Sequence, residues 1–425
     1  MNSKRIVIGL CLACSSLALG AGQAAVAAPG LGIRVEAGTV DRSGLPVRAG
    51  VTASAAEHCG RDGVVRLKLP DGSHVIGQVV PRGLLAPTSA APDATTGSDV
   101  VFVLPTVAAG TAVDLVAEPA ATADAAPRLE WHDRDHAAEL TSGGRPLLRY
   151  EMPAYDPSSE SVRVKTYKPF HHVFDAESGT QLTKGDGGGY THHRGIFFGY
   201  NRITHGPDRG RTSDCWHCSG RSRQEHRRVL EQAGGPVAGV QRVAIDWIGS
   251  EGMRILGEIR EIDAVPVAAG TVIDFSSRLA SEEPVRLDGD PQHAGVHFRA
   301  SNEVHDATKS QTYYLRPGTK AAPGDYRNWP ADKTYVDAPW HAGSFVVGGR
   351  RFTVLRVNRP ANPGEARMSE RDYGRFGSYF EYDLMADRPL EVGYRFWVQP
   401  GEMTLDDAAR IAADYAVPAK VTVRE

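Results

Sequence analysis

The sequence predicts a mainly β protein: a small N-terminal β-sandwich, then a large antiparallel β-sandwich, supersandwich-like in its extent, with a C-terminal helix. Three observations carry this expectation. Short Val- and Ile-rich runs recur along the chain, separated by Gly, Pro and Asp-Gly turn signals, which is the pattern of antiparallel strands. An Ala/Pro-rich stretch, 119–127, interrupts them and has little to bury, as a linker would. One segment alone, 404–415, repeats apolar residues strongly at helical spacing. At 425 residues the chain is too long for a single ordinary core, so two domains are expected, one of them large.

Residues 1–27 read as a secretory signal, with Lys4-Arg5 as the charged start, Ile6 to Leu19 as the apolar stretch and Ala25-Val26-Ala27 before the cleavage point. A mature protein outside the cytosol follows. Cys14 as a lipid-bearing residue is the weaker alternative, because Cys11 stands where such signals carry Leu. Residues 28–118 hold the first sandwich, with runs at 33–36, 64–69, 75–80, 100–104 and 112–116, and Asp71-Gly72 as a hairpin turn. They show no ionisable cluster, which suits a support or binding module. The large domain spans 128–417, with strand-like runs at 243–247, 253–262, 272–279 and 352–357. Thr404 caps the helix, Asp406 and Asp407 favour its positive end, and Pro418 stops it, leaving 418–425 as a tail.

The composition, 41% hydrophobic and 23% charged, is that of a globular chain. Its net charge of −3 becomes −5 when Lys4 and Arg5 leave with the signal. No basic footprint for nucleic acid exists, and the mature chain has no apolar run long enough to span a bilayer. G-x-S-x-G, Walker A and strand-bound G-x-G-x-x-G motifs are absent, so no nucleotide cofactor is expected and serine-esterase chemistry is disfavoured.

Chemistry concentrates around Asp186-Gly187-Gly188-Gly189-Tyr190-Thr191-His192-His193-Arg194-Gly195, within a region (167–227) that holds seven of the 15 histidines. Glycine lets backbone approach a ligand, and an imidazole moves protons near neutral pH. His192 or His193 is therefore the first choice for a general acid or base, with one of the pair facing the substrate if the segment is extended. Arg194 holds a carboxylate or oxyanion, or pairs with Asp186. His297 and Arg299, two apart, share a strand face with His293, while Val296 and Phe298 fill the other. Glu258, beside Arg260 on a half-polar strand face, is the candidate carboxylate partner. His172, Arg371, Tyr373 and Asn362 complete the substrate-binding candidates. Cys215-Trp216-His217-Cys218 reads as a short disulfide or buried thiols before a metal site. A divalent metal is left open, but no H-x-H or H-E-x-x-H spacing occurs, so no metal ligands are assigned.

Thr191-His192-His193-Arg194-Gly195, Lys168-Pro169-Phe170-His171-His172, Ala294-Gly295-Val296-His297-Phe298-Arg299-Ala300, Arg359-Pro360-Ala361-Asn362-Pro363, Arg371-Asp372-Tyr373-Gly374 and Pro389-Leu390-Glu391-Val392-Gly393-Tyr394-Arg395 stand in one order over roughly 140–416. In them the chain resembles the bacterial family labelled methane oxygenase PmoA-like. The resemblance implies a domain of that extent and no secure activity, while the label suggests a metal-dependent oxygenase. The residues favour an exported carbohydrate-active enzyme, a lyase, epimerase or hydrolase acting on a glycoside or sugar acid. A glycan-binding protein without catalysis is the alternative.

Overall fold

The computed structural model describes residues 31–57, 59, 62–86, 97–120, 128–290 and 292–424. The signal segment, Cys14 and most of the expected linker (121–127) lie outside the described residues.

The chain is mainly β, with antiparallel sheets and a C-terminal helix, as the alternation predicts. In the N-terminal module seven strands form one antiparallel sheet in the order Pro46–Val51, Ser98–Val103, His74–Pro81, Val64–Lys68, Ala112–Pro119, Gly32–Glu36 and Lys420–Arg424. Its two edge strands approach one another, so the sheet curls around its own core of Ile33, Val35, Leu67, Phe102 and Leu115. Asp71 sits in the hairpin turn, where its carboxylate accepts from Ser73 N–H at 2.9 Å. The segment read as a tail is a correction: Lys420–Arg424 pairs antiparallel with Gly32–Glu36. Val421 and Val423 alternate with Lys420, Thr422 and Arg424, and both valines pack against the module's core.

The large domain packs two sheets face to face. An eight-stranded sheet runs Arg367–Arg371, Arg375–Tyr379, Ala294–Arg299, Ile196–Tyr200, Phe170–Val173, Arg145–Glu151, Ala137–Ser142 and Leu129–Arg134. A nine-stranded sheet includes Arg223–Ala233, Gly239–Ile248, Arg254–Val267, Gly270–Ala280, Leu390–Pro400 and Arg350–Asn358. Ile196, Phe198, Phe298 and Phe376 from the first meet Ile245, Trp247, Phe275 and Phe396 from the second in one buried core. Each such side chain contributes about 1.5–3 kcal/mol by leaving water. The outer face of the nine-stranded sheet, with Val240, Val272, Leu355 and Trp397, is covered by Leu45, Val80 and Val101 of the N-terminal module and by Ala408, Ile411 and Ala412 of the helix Leu405–Ala416. Thr404 Oγ1 accepts from Asp407 N–H at 3.0 Å, as its position before the apolar repeat predicts. Among the described residues no helix is long and apolar enough to cross a membrane.

Glu258 and Arg260 do share a strand face, but that face lies inside the sandwich. Glu258 accepts from Arg260 Nε at 2.8 Å, Ser277 Oγ at 2.9 Å and Trp247 Nε1 at 2.8 Å, and both side chains are buried. The expected catalytic carboxylate is thus a closed polar plug in the core, with both oxygens occupied. Alternation reveals which residues share a side; it does not reveal what covers that side.

Cys215 and Cys218 are free, buried thiols, and burial pushes the Cys218 thiol up to about 11. Thiolate, the reactive form, is therefore scarce at pH 8. Both cysteines are expected to resist iodoacetamide in the folded protein and to react fully in guanidinium; rapid labelling of the folded protein would show the pair to be open.

Candidate functional site

Val296 and Phe298 point into the sandwich core, so Phe197, His297 and Arg299 project from the opposite face of the eight-stranded sheet. The glycine-rich loop folds back over that face. Gly195 permits this: its φ is +49°, and a Cβ there would stand 2.0 Å from the His171 carbonyl oxygen. The loop is a turn rather than an extended strand entrance, with His193 N–H donating to the Tyr190 carbonyl at 2.9 Å. His192 and His193 accordingly do not face opposite ways; their rings are 4.2 Å apart, edge to face. Tyr190 itself holds a φ of +58°, an uncommon conformation for a bulky residue and one that collects at functional sites.

Three loops converge on this face. His192 comes from the glycine loop, His217 from the segment after the short strand Arg211–Ser213, and His293 from the residue before Ala294–Arg299. One ring nitrogen of each lies within 4.8 Å of those of the other two. The ring centroids are 4.5 Å apart for His192–His217, 4.8 Å for His217–His293 and 6.1 Å for His192–His293.

The orientation of two of these rings is fixed by carboxylates. His217 Nδ1 stands 2.8 Å from Asp214 Oδ2, and Asp214 Oδ1 accepts from the Trp216 and His217 N–H groups at 2.9 and 2.8 Å. His293 Nδ1 stands 2.7 Å from Asp290 Oδ2, and Asp290 in turn accepts from Gln292 N–H and Asn201 Nδ2. Burial pushes Asp290 up, but the bond to His293 and the Gln292 N–H outweigh it and bring the carboxyl down to about 2. With Nδ1 engaged, each imidazole keeps Nε2 as its free nitrogen, and His192 Nε2 is buried with no partner. His192 is held neutral: burial first, then Lys168, His217, His293 and Arg375, drive it down to about 2. Three imidazoles with free nitrogens, two of them backed by carboxylates, match the donor set that a three-histidine metal site would need. Nitrogens on tetrahedral zinc stand about 3.3 Å apart, so small ring rotations would close the set. The assignment of no metal ligands came from spacing along the chain; folding brings together three imidazoles from distant segments that could hold an ion.

The other sequence candidates fall into two groups. His193 lies beneath His192, buried, with neither ring nitrogen partnered, and Tyr373 stacks on Tyr190 at 5.1 Å and on His193 at 6.3 Å. Arg371 reaches Gln292, beside His293. His297 is one layer down: its Nε2 meets the Ala294 carbonyl at 2.9 Å, its Nδ1 meets Arg375 at 3.2 Å, and Trp216 lies over it at 4.8 Å. Arg299 donates to the Ala300 and Tyr373 carbonyls at 2.7 Å and lies 4.7 Å from the Tyr373 ring centre.

The second group stands apart from the cluster or serves the scaffold. Arg194 caps the Thr191, Lys165 and Val164 carbonyls rather than pairing with Asp186. His172 bonds Thr183 at 3.0 Å, and burial pushes it down to about 3. Asn362 clamps Gly393 on the nine-stranded sheet through both its amide groups, at 2.8 and 2.9 Å. Sequence reasoning did not bring His217 and His293 together with His192. A signal existed: Asp214-Cys215-Trp216-His217 and Asp290-Pro291-Gln292-His293 repeat Asp-x-x-His, the spacing at which a carboxylate can hold a loop imidazole. His305 was also missed; Asp306 holds its Nδ1 at 2.6 Å, and its ring lies 5.8 Å from Tyr190.

A family model described as "Family of unknown function (DUF6807)" matches residues 137–413. The chain belongs to this family. The match corrects the resemblance to methane oxygenase PmoA-like proteins, since nothing in it points to that family, and with it goes the support for an oxygenase. Comparison with curated proteins finds no match. Among solved structures, a galactose mutarotase related enzyme from Lactobacillus acidophilus is similar over 65% of this chain and 98% of its own, at 9% identity and a TM-score of 0.30. A galactose mutarotase-like protein from Lactobacillus casei is similar over 64% and 100%, at 7% identity and a TM-score of 0.29.

Proposed function

We propose that this member of the family is an exported, divalent-metal-dependent enzyme acting on a small oxygen-rich substrate of the carbohydrate class. The observation that carries the reading is the convergence of His192, His217 and His293, with Asp214 and Asp290 behind two of them. A metal held there supplies Lewis acidity to a substrate or water oxygen. The chain's own residues do the rest. Tyr190, half-exposed and stacked on Tyr373, offers an aromatic face to the C–H side of a sugar ring. His305, its Nδ1 fixed by Asp306, presents Nε2 as a proton carrier. Lyase, epimerase and hydrolase chemistry all use a proton transfer beside a polarised oxygen.

A glycan and sugar library screened for turnover tests this. Activity is expected to vanish with chelator, return with zinc, and be absent in His293→Ala. Turnover indifferent both to chelator and to that substitution would sink the proposal. Asp214→Asn and Asp290→Asn leave the three ligands in place but weaken the hold on their rings, so zinc affinity is expected to fall about 10–100-fold in each, read by competition with a chromophoric chelator. Unchanged affinity would mean that the carboxylates only shape their loops.

A further inference from the structure

Behind the three histidines lies a concentration of buried cationic side chains: two guanidiniums that stay charged, and two lysines that burial pulls down, Lys168 to about 8 and Lys184 to about 7. Lys168, Lys184, Arg299 and Arg375 are all essentially excluded from solvent. Lys168 donates to the Trp216 carbonyl and Lys184 to the Gly185 and His193 carbonyls. Arg299 bonds carbonyls alone, and Arg375 bonds Ser369, the Gln292 carbonyl and His297. Among the described residues none of the four is paired with a carboxylate. Arg299 Nε and Nη2 and Arg375 Nε have no partner at all.

Elsewhere in this protein buried cations are neutralised. Arg260 pairs with Glu258, Arg316 with Glu370, Arg42 with Asp414 and Arg395 with Asp274. Arg356, bonded to Asn358 and Ser378, and Arg194, bonded to three backbone carbonyls, are the exceptions. Burying an unpaired charge costs several kcal/mol. Arg299 and Arg375 stand opposite one another on neighbouring strands, and with Lys168 over the Phe197 ring they create a positive field that reaches across the loop in a medium of low dielectric. Asp214 and Asp290 offset a divalent ion, and Asp186 and Asp306 act on Lys184 and Arg299 without forming an ion pair with them, which leaves a net positive field.

Resting on the metal-site reading, we propose that the substrate is anionic: a sugar acid whose carboxylate is drawn to this site by the buried cations, rather than a neutral glycoside. Aromatic surface from Tyr190 and Tyr373 then meets the ring while the carboxylate sits in the positive field. A direct contact with each cation is not required, because the field acts through space.

Calorimetric titration of the zinc-loaded mature protein with glucuronate, galacturonate, glucose, galactose and inorganic phosphate tests the assignment. At least one uronate is expected to bind at least about tenfold tighter than its neutral counterpart, about 1.4 kcal/mol, with the preference shrinking as salt rises. It is expected to fall in Lys184→Met and in Lys168→Met, each checked for full zinc content. Equal binding of acid and neutral sugar, or no binding of either, would overturn the proposal, as would phosphate binding tighter than both uronates. Should a variant fail to fold, the comparison in the unaltered protein still decides. Zinc content measured on the same samples separates the two readings: absent zinc refutes the metal site, whereas bound zinc without uronate preference refutes the anionic substrate alone.

Discussion

Alanine in place of His217 or His293 is expected to lower zinc affinity by at least about 100-fold, more than loss of a supporting carboxylate, because a ligand itself is removed. Both residues lie on loops that carry little of the sandwich core, and their side chains are partly exposed. Stability of the metal-free protein should therefore shift by no more than about 1 kcal/mol, whereas the stabilisation that zinc adds to the unaltered protein should disappear. Thermal unfolding with and without zinc reads both quantities from one sample. A variant that keeps its zinc-dependent rise in melting temperature would remove that histidine from the ligand set.

Glu258→Ala is expected to have the largest effect on stability, a loss of about 3–5 kcal/mol, because it leaves Arg260 charged and unpaired inside the sandwich. Trp247 Nε1 and Ser277 Oγ would lose their acceptor as well. The double variant Glu258→Leu/Arg260→Met should recover much of the loss, since a buried pair replaced by apolar side chains of similar volume is often neutral. Urea unfolding followed by tryptophan fluorescence reports the difference, as Trp247 lies in that core. A loss below about 1 kcal/mol in the single variant would mean that water or a neighbouring group already shares the charge. Zinc affinity should be untouched in the double variant, which separates this plug from the metal site.

The fold was legible where local rules and burial agree. Strand runs such as 272–279 alternate because one side of each strand enters a core, and the helix after Thr404 announces itself through its cap and the Ala408, Ile411 and Ala412 repeat. The strand Lys420–Arg424 was hidden by its length and its position after Pro418; two valines become informative only when Gly32–Glu36 is beside them. The glycine loop stood out in the sequence as a concentration of chemistry, whereas the residues that fold against it, His217 and His293, did not. His192 and His217 are separated by 25 positions and His217 and His293 by 76, so no spacing rule reaches across them; the pairing of Ile196–Tyr200 with Ala294–Arg299 and the bond from Cys215 N–H to the Tyr200 carbonyl bring the three loops to one face. Glu258 failed in the opposite way. Its alternation with Arg260 was read correctly, but a strand pattern does not say whether its polar side meets solvent, substrate or the opposing sheet.

Whether His192, His217 and His293 hold a metal is read most directly from the metal content of the protein after equilibration with trace zinc and extensive dialysis. About one zinc per chain is expected in the unaltered protein and none in a variant with all three histidines changed to alanine. Zinc lost completely on dialysis, or retained equally by the triple variant, would contradict it.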